Sequence, residues 1–153
     1  MTGRIHARLQ ELGITLPVPP TPVASYVSGV ITGKTLVLSG AIPMEDGKLK
    51  YVGTVGHELT VEDGNAAARL CAVNLLAQIE KLIGLDNVAR VVRLGVFVNA
   101  VPGFTLQPEV ANGASDLMVA VFGDAGKHAR SAVGAGSLPR NVAVEIEATI
   151  EIA

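Results

Sequence analysis

The most constraining feature of this sequence is an eleven-residue stretch, 142–152, in which positions of two kinds alternate strictly. One set is wholly apolar and comprises Val142, Val144, Ile146, Ala148, Ile150 and Ile152. The other set is mainly polar and comprises Ala143, Glu145, Glu147, Thr149 and Glu151. A period of two is the signature of a β-strand with one buried face. The stretch therefore predicts a half-buried strand.

A second β-compatible run, 130–135, precedes this strand. Six residues separate the two runs, and the first four of them, 136–139, read Gly-Ser-Leu-Pro, which is typical of a connecting loop. We expect the loop to let the two runs lie near each other. Arg130 and Glu145 would then be able to share a site.

Two helices are predicted in the middle of the chain. The first covers 61–83, because the Thr60 hydroxyl can accept a first-turn amide proton and Gly84 follows as a stop. Its apolar positions recur at helical spacing, at Ala68, Ala72, Leu75, Ile79 and Leu82. The second helix is indicated by Leu106, Val110, Ala114, Leu117 and Val121. Pro108 and Gly113 leave its start open.

The other segments complete an α+β pattern. They predict a helix over 2–12, a proline-rich connector over 16–22, a hairpin over 25–39 that turns at Thr32 and Gly33, a short edge strand over 49–55 and an interior strand over 88–98. This order predicts two helices packed on one face of a mixed sheet, plus the short N-terminal helix. One domain is expected over 1–153, because the length suits one core and no repeat or composition shift divides it.

Composition predicts association with other copies of the chain. The residues are 49% hydrophobic and 17% charged, which leaves little charge to cover a monomer's surface, so a homo-oligomer is expected. A net charge of −2 and 3% aromatic residues argue against a nucleic-acid binder. No apolar run approaches the ~20 residues that cross a bilayer, so no membrane partner is expected. A single cysteine and an N-terminus without a signal-peptide core predict a cytoplasmic protein.

Several familiar catalytic motifs do not occur in the sequence. It has no glycine-rich phosphate loop, no paired Cys or His at metal-ligand spacing, and no GxSxG nucleophile motif, so no metal site is predicted. His6, His57 and His128 follow no spacing pattern and are interpreted as surface histidines. Cys71 falls within the predicted main helix and is interpreted as a buried, inert thiol.

Arg130 and Glu145 are the residues whose chemistry suggests a site. A guanidinium offers a planar fork of donors that matches a carboxylate, so Arg130 could anchor a small organic acid. Glu145 lies opposite the apolar stripe of its strand, where its carboxylate could hold a water molecule and act as general base. The alternative is a solvated strand face on which Glu145, Glu147 and Glu151 only keep the sheet soluble, with Arg130 in a structural ion pair.

Four segments of the chain resemble the reactive intermediate deaminases, the Rid or YjgF family, whose older members carry the labels endoribonuclease L-PSP and translation inhibitor. SYVSGV at 25–30 resembles the family's tyrosine segment, and LVLSGAIP at 36–43 resembles its SGQIP-type loop. The long helix followed by VARVVRLGVFVNAVPGF resembles its middle. ARSAVGAGSLP followed by VEIEA resembles its closing signature, and the likeness covers roughly 23–153.

This resemblance implies a chorismate-mutase-like fold, a homotrimer with sites in clefts between subunits, and hydrolysis of reactive enamines or imines to 2-keto acids and ammonia. 2-Iminobutanoate and 2-iminopropanoate are the implied substrates, without a metal or organic cofactor. Position by position, Arg130 resembles the carboxylate-binding arginine, Glu145 the water-holding glutamate and Tyr26 the site tyrosine. Gly40 resembles the loop glycine beside the substrate.

Three departures from the family pattern leave alternatives open. Ala132 stands where many members have a cysteine, so that a backbone contact to substrate would survive without the thiol. An asparagine of the family's second helix has two competing counterparts, Asn112 and Ser115. The extension 1–22 lies outside the common core. The alternatives to a deaminase are a non-catalytic protein that binds 2-keto acids in the same cleft and, on the older label alone, an endoribonuclease.

Overall fold

A five-stranded mixed sheet organises the structure, a computed structural model that describes residues 3–153. The helices are α1 (Arg4–Glu11), α2 (Val61–Leu82) and α3 (Gln107–Phe122). The strands are β1 (Gly29–Thr32), β2 (Thr35–Ala41), β3 (Met44–Glu45), β4 (Lys48–Leu49), β5 (Val88–Asn99), β6 (Ala129–Ala135) and β7 (Val144–Ile152). All three predicted helices are confirmed, with position 2 of the first outside the described residues.

The strands of the main sheet lie in the order β1-β2-β7-β5-β6. β5 and β6 pair in parallel and the other neighbours are antiparallel. A parallel pair needs a crossover, and α3 supplies it between β5 and β6. The runs 130–135 and 142–152 lie in the same sheet, but they do not pair directly, because β5 is inserted between β6 and β7 and pairs with both.

The helices cover one face of the sheet, as the sequence predicts. α2 packs against β2 and β7, and α3 packs against β5 and β6. The apolar side chains of β7 point into this layer and are almost fully buried, at Val144, Ile146, Ala148 and Ile150. α1 adds Ile5 and Leu9 to the same core. α2 begins with a capping box, in which the Thr60 hydroxyl and the Asp63 carboxylate each bind the other residue's amide.

Two strand predictions are corrected by backbone geometry. The predicted edge strand over 49–55 is reduced to β4, which pairs with β3 in a separate two-stranded ribbon. Positive φ angles of 54° at Tyr51 and 142° at Gly53 interrupt the extended backbone there. The predicted hairpin is present, but β1 starts at Gly29 and the turn lies at 33–34.

The opposite face of the sheet is uncovered in the single chain. It carries the polar side of β7 together with exposed apolar residues of β2 and β6, among them Val37 at 46% and Val133 at 47% exposure. None of the helices in residues 3–153 has the length and apolar character that a membrane crossing requires.

Candidate functional site

Arg130 is held at the edge of the helix-covered face. In the β5/β6 ladder it pairs with Leu94, which is fully buried, and paired residues share a face of the sheet. The Arg130 guanidinium reaches α3, where Nη1 donates to Asn112 Oδ1 at 2.8 Å and to Ser115 Oγ at 3.1 Å. These two bonds use both hydrogens of Nη1 and fix the guanidinium against the helix.

Asn112 and Ser115, which compete for one family position in the sequence, both contact the arginine. They lie three residues apart on α3 and therefore on one helix face. Nε and Nη2 of Arg130 donate to no atom of residues 3–153, so their three N–H groups remain available as a fork for a ligand. Ala132 is the next β6 residue on the same face and is partly buried.

Glu145 lies on the uncovered face of the sheet. It pairs with Phe97 of β5, which pairs in turn with Val133 of β6. On the other side of β7 lies β2, and there the neighbour of Glu145 is Gly40. A Cβ atom added to Gly40 would lie 2.6 Å from Glu145 Oε2. The β2/β7 register shifts between Leu38 and Ala41, so Gly40 sits in a bulge that brings its backbone close to the carboxylate.

The tyrosine segment is tied to this bulge. Ser39 donates from Oγ to the Val27 carbonyl at 2.6 Å and from its amide to the Ser28 carbonyl at 2.9 Å. Tyr26 directly precedes these residues and is 59% exposed. The structure therefore brings Glu145 beside Gly40 and the Tyr26 segment, from which the sequence separates it by more than a hundred residues.

The surroundings of Glu145 disfavour its charged form. Partial burial, and after it the negative charge of Glu147, raise the pKa of the Glu145 carboxyl above its ordinary value. Glu147 is two residues along the same strand and on the same face. A carboxyl whose pKa is raised toward neutrality exchanges protons more readily at the pH of the cell, as an acid-base group must.

The predicted site residues thus form two groups, which a single chain keeps apart. The arginine half-site comprises Arg130, Ala132, Asn112 and Ser115, and the glutamate half-site comprises Tyr26, Gly40 and Glu145. The half-sites lie on opposite faces of the sheet. From the ladder register, Arg130 and Glu145 are two strands apart, about 10 Å, and offset by three residues, about another 10 Å.

Sequence reasoning missed one member of the arginine half-site's surroundings. His128 is partly buried and hydrogen-bonded to Ser115, so its interpretation as a surface histidine is wrong. The polar pair Asn112 and Ser115, placed between apolar residues on α3, was the available signal. Cys71 is fully buried, and this burial raises the pKa of its thiol, as expected for an inert cysteine. Within residues 3–153, no three His, Cys, Asp or Glu side chains cluster as metal ligands do.

Comparisons with known proteins give the family of this chain. A family model described as "YjgF/chorismate_mutase-like, putative endoribonuclease" matches residues 6–150. Protein TCP17 of Trypanosoma cruzi is 49% identical over 99% of this chain and 96% of its own length.

Solved structures agree with the family model. Protein Atu1372 of Agrobacterium tumefaciens, described as of unknown function, is 48% identical with a TM-score of 0.92, over 97% of this chain and 92% of its own. RidA of an Antarctic Psychrobacter bacterium is 26% identical with a TM-score of 0.63, over 88% and 94%. The chain therefore belongs to the YjgF/chorismate-mutase-like family, and it has that family's fold.

Proposed function

We propose that the protein hydrolyses 2-imino acids to 2-keto acids and ammonia, in a site that joins the arginine half-site of one copy to the glutamate half-site of another. The observation that carries this proposal is the Arg130 guanidinium, which α3 holds through Nη1 while three N–H groups remain available. A fork of parallel N–H donors matches a carboxylate and favours it over neutral ligands. The resemblance to the reactive intermediate deaminases implies the same substrate class, and the likeness to a protein named RidA is consistent with that resemblance.

The reaction asks little of the protein beyond orientation and proton transfer. An imine carbon is already electrophilic, so holding the carboxylate at Arg130 places that carbon for attack by water. Glu145 takes a proton from the water as its oxygen bonds to the imine carbon, and returns this proton to the nitrogen, which gives a carbinolamine. Glu145 then carries the proton of the new hydroxyl to the nitrogen, the carbon–nitrogen bond breaks, ammonia leaves and the carbonyl of the keto acid forms. The raised pKa of Glu145 suits a group that accepts and returns a proton.

The remaining predicted residues shape this cleft. Gly40 leaves room for the Glu145 carboxylate, because any side chain at position 40 would displace it. Ala132 offers substrate its backbone and a small side chain beside Arg130. Tyr26 closes the glutamate half-site and offers a hydroxyl to the substrate. We propose a homotrimer as the assembly, in which the uncovered sheet face with Val37 and Val133 is buried between copies.

A coupled assay tests the proposal. An amino-acid oxidase generates 2-iminobutanoate in situ, semicarbazide traps the imine that remains, and release of 2-oxobutanoate is followed. We expect acceleration by the wild type and a loss on the order of a hundredfold in Arg130→Ala, since a bidentate charge-assisted contact is removed. Arg69→Ala, which changes an exposed arginine of α2, serves as the matched control and keeps its activity.

Two outcomes would contradict the proposal. Full activity in Arg130→Ala, with the same oligomeric state as the wild type, would remove the arginine from the site. Saturable binding of 2-oxobutanoate without hydrolysis of any amino-acid-derived imine would assign a binding protein instead of an enzyme.

A further inference from the structure

A hydrogen-bonded chain of side chains runs behind Arg130 and ends on the backbone. Ser115 Oγ lies 2.9 Å from His128 Nε2, and His128 Nδ1 lies 2.6 Å from the carbonyl oxygen of Gly126. A carbonyl oxygen can only accept, so Nδ1 carries a proton and donates it. In the neutral ring Nε2 is then an acceptor, and the Ser115 hydroxyl donates to it.

With a neutral His128 ring, this row of hydrogen bonds has a single direction. Because the Ser115 hydrogen is directed at His128, the lone pairs of Oγ face Arg130 and accept from Nη1 at 3.1 Å. Asn112 Oδ1 accepts the second Nη1 hydrogen at 2.8 Å. A Ser115 hydroxyl left to rotate would offer Arg130 its hydrogen part of the time, and His128 removes that orientation.

The end of this row of hydrogen bonds, at the Gly126 carbonyl, is anchored by close packing. Gly126 is buried, and a Cβ atom at this position would overlap the carbonyl oxygen of Met118 on α3. The turn that supplies the Gly126 carbonyl is therefore pressed against the same helix that carries Asn112 and Ser115. His128 follows two residues later, immediately before β6, so helix, turn and strand are fastened together beside Arg130.

We propose that Ser115 and His128 are positioning residues, which fix the guanidinium plane of Arg130 so that its Nε and Nη2 edge faces the cleft. The inference rests on the proposed function, in which Arg130 binds the substrate carboxylate. An arginine side chain loses much rotamer freedom when it binds a ligand, and a guanidinium that is already fixed avoids most of that cost. The pair therefore acts on carboxylate affinity, through Arg130, and has no contact with the reacting carbon.

Kinetic and binding measurements on one set of variants test this role. Ser115→Ala is expected to raise both KM for 2-iminobutanoate and Kd for 2-oxobutanoate about tenfold, with kcat within about twofold of wild type. Ser115→Thr, which keeps the hydroxyl, is expected to restore most of the affinity. His128→Ala is expected to weaken the affinity for 2-oxobutanoate. The Ser115→Ala/His128→Ala double variant is expected to have the same affinity as Ser115→Ala alone, because His128 acts through Ser115. Ser137→Ala and His57→Ala change exposed residues and serve as controls.

A spectroscopic measurement keeps this inference separate from the proposed function. With arginine labelled by nitrogen-15, Arg130 of the wild type is expected to show resolved Nη resonances, because its guanidinium rotates slowly. Ser115→Ala is expected to average them, and Arg130→Ala assigns the signals. This result holds whether or not the wild type hydrolyses imines. If the wild type neither binds 2-oxobutanoate nor hydrolyses imines, the proposed function fails while the resonances still decide the positioning role.

Three results would overturn the positioning role. One is a set of Arg130 resonances that Ser115→Ala leaves unchanged. Another is a double variant whose loss of affinity is the sum of the two single losses. The third is labelling of Ser115 by a fluorophosphonate, which would assign Ser115 and His128 as a nucleophile and its base.

Discussion

Glu145 shows how one residue's surroundings prepare it for chemistry. Burial and the neighbouring Glu147 raise the pKa of its carboxyl, and a general base must be ionised to work. The acid limb of kcat/KM against pH therefore reports this pKa in the free enzyme. Removing the charge of Glu147 lowers the pKa of Glu145, so Glu147→Gln is expected to move the acid limb to lower pH.

The matched control for this prediction is Glu151→Gln on the same face of β7. Glu151 lies farther along the strand and does not contribute to the raised pKa of Glu145. We expect its pH profile to coincide with that of the wild type. An unchanged acid limb in Glu147→Gln would mean that a group other than Glu145 sets the limb.

Gly40 supports the same carboxylate by having no side chain. A Cβ atom there would lie 2.6 Å from Glu145 Oε2, and the carboxylate, as the far end of a flexible side chain, would move away. Gly40→Ala is thus expected to lower kcat/KM on the order of ten- to a hundredfold while the protein still folds, since a small misplacement of a catalytic group is costly. Gly136→Ala, where a Cβ atom meets nothing within 4 Å, is the control. Wild-type kcat/KM in Gly40→Ala would contradict the placement of Glu145.

Residue chemistry suggested the candidate residues of the site, but it did not indicate the hydrogen-bond partners of each residue. The guanidinium fork of Arg130 and the outward parity of Glu145 could be read from the chain, and the geometry agrees with both. The roles of Asn112 and Ser115 could not be separated, because a hydrogen bond across β6 and α3 depends on how the helix is rotated. His128 carried no signal of its own, since one histidine without a spacing pattern has no distinguishing feature.

The elements were largely predictable where periodicity and caps agree. α2 runs from the Thr60 cap to Leu82, within one residue of the predicted 61–83, and β5 is an interior strand as its apolar run indicates. The strand that separates β6 from β7 was not predicted. Periodicity tells which face of a strand is buried but not which strand lies beside it, so the insertion of β5 between them could not be read from the sequence.

The contact between α2 and α3 gives a prediction at the scale of elements. Both helices approach through glycines, and a Cβ atom on Gly113 would overlap the backbone carbonyl oxygen of Asn65. Alanine favours a helix over glycine by about 1 kcal/mol, but the helices would have to separate to admit it. Gly113→Ala is expected to lower the free energy of unfolding by about 1 to 3 kcal/mol, measured by urea denaturation.

Gly64 is the matched control in the same contact. A Cβ atom there would meet the two methyl groups of Val110 at 3.0 and 3.2 Å, and these can shift more easily than a backbone carbonyl. Gly64→Ala is expected to cost clearly less free energy of unfolding than Gly113→Ala. Equal stabilities of Gly113→Ala and wild type would show that the helices have room to spare at this crossing.

At the scale of the whole molecule, the two half-sites lie on opposite faces of one sheet, so one chain cannot place Arg130 against Glu145. If the proposed function holds, its site requires a second copy. The uncovered sheet face, with Val37 and Val133 about half exposed, gives an apolar surface for that association. The expectation of an oligomer from low charge content has the same physical basis.

Mixing variants tests this requirement directly. Arg130→Ala retains an intact glutamate half-site and Glu145→Gln an intact arginine half-site, so each alone is expected to be inactive. When equal amounts are denatured and refolded together, the two intact half-sites meet at about a quarter of random interfaces, and about a quarter of wild-type activity should return. When wild type is refolded with an equal amount of the Arg130→Ala/Glu145→Gln double variant, about a quarter of the sites between copies should be complete, so about a quarter of the activity should remain. A site within one chain would be complete in half of the copies and would retain about half of the activity. A mixture of the single variants that stays inactive, although copies exchange, would place the whole site in one subunit and contradict the arrangement of half-sites.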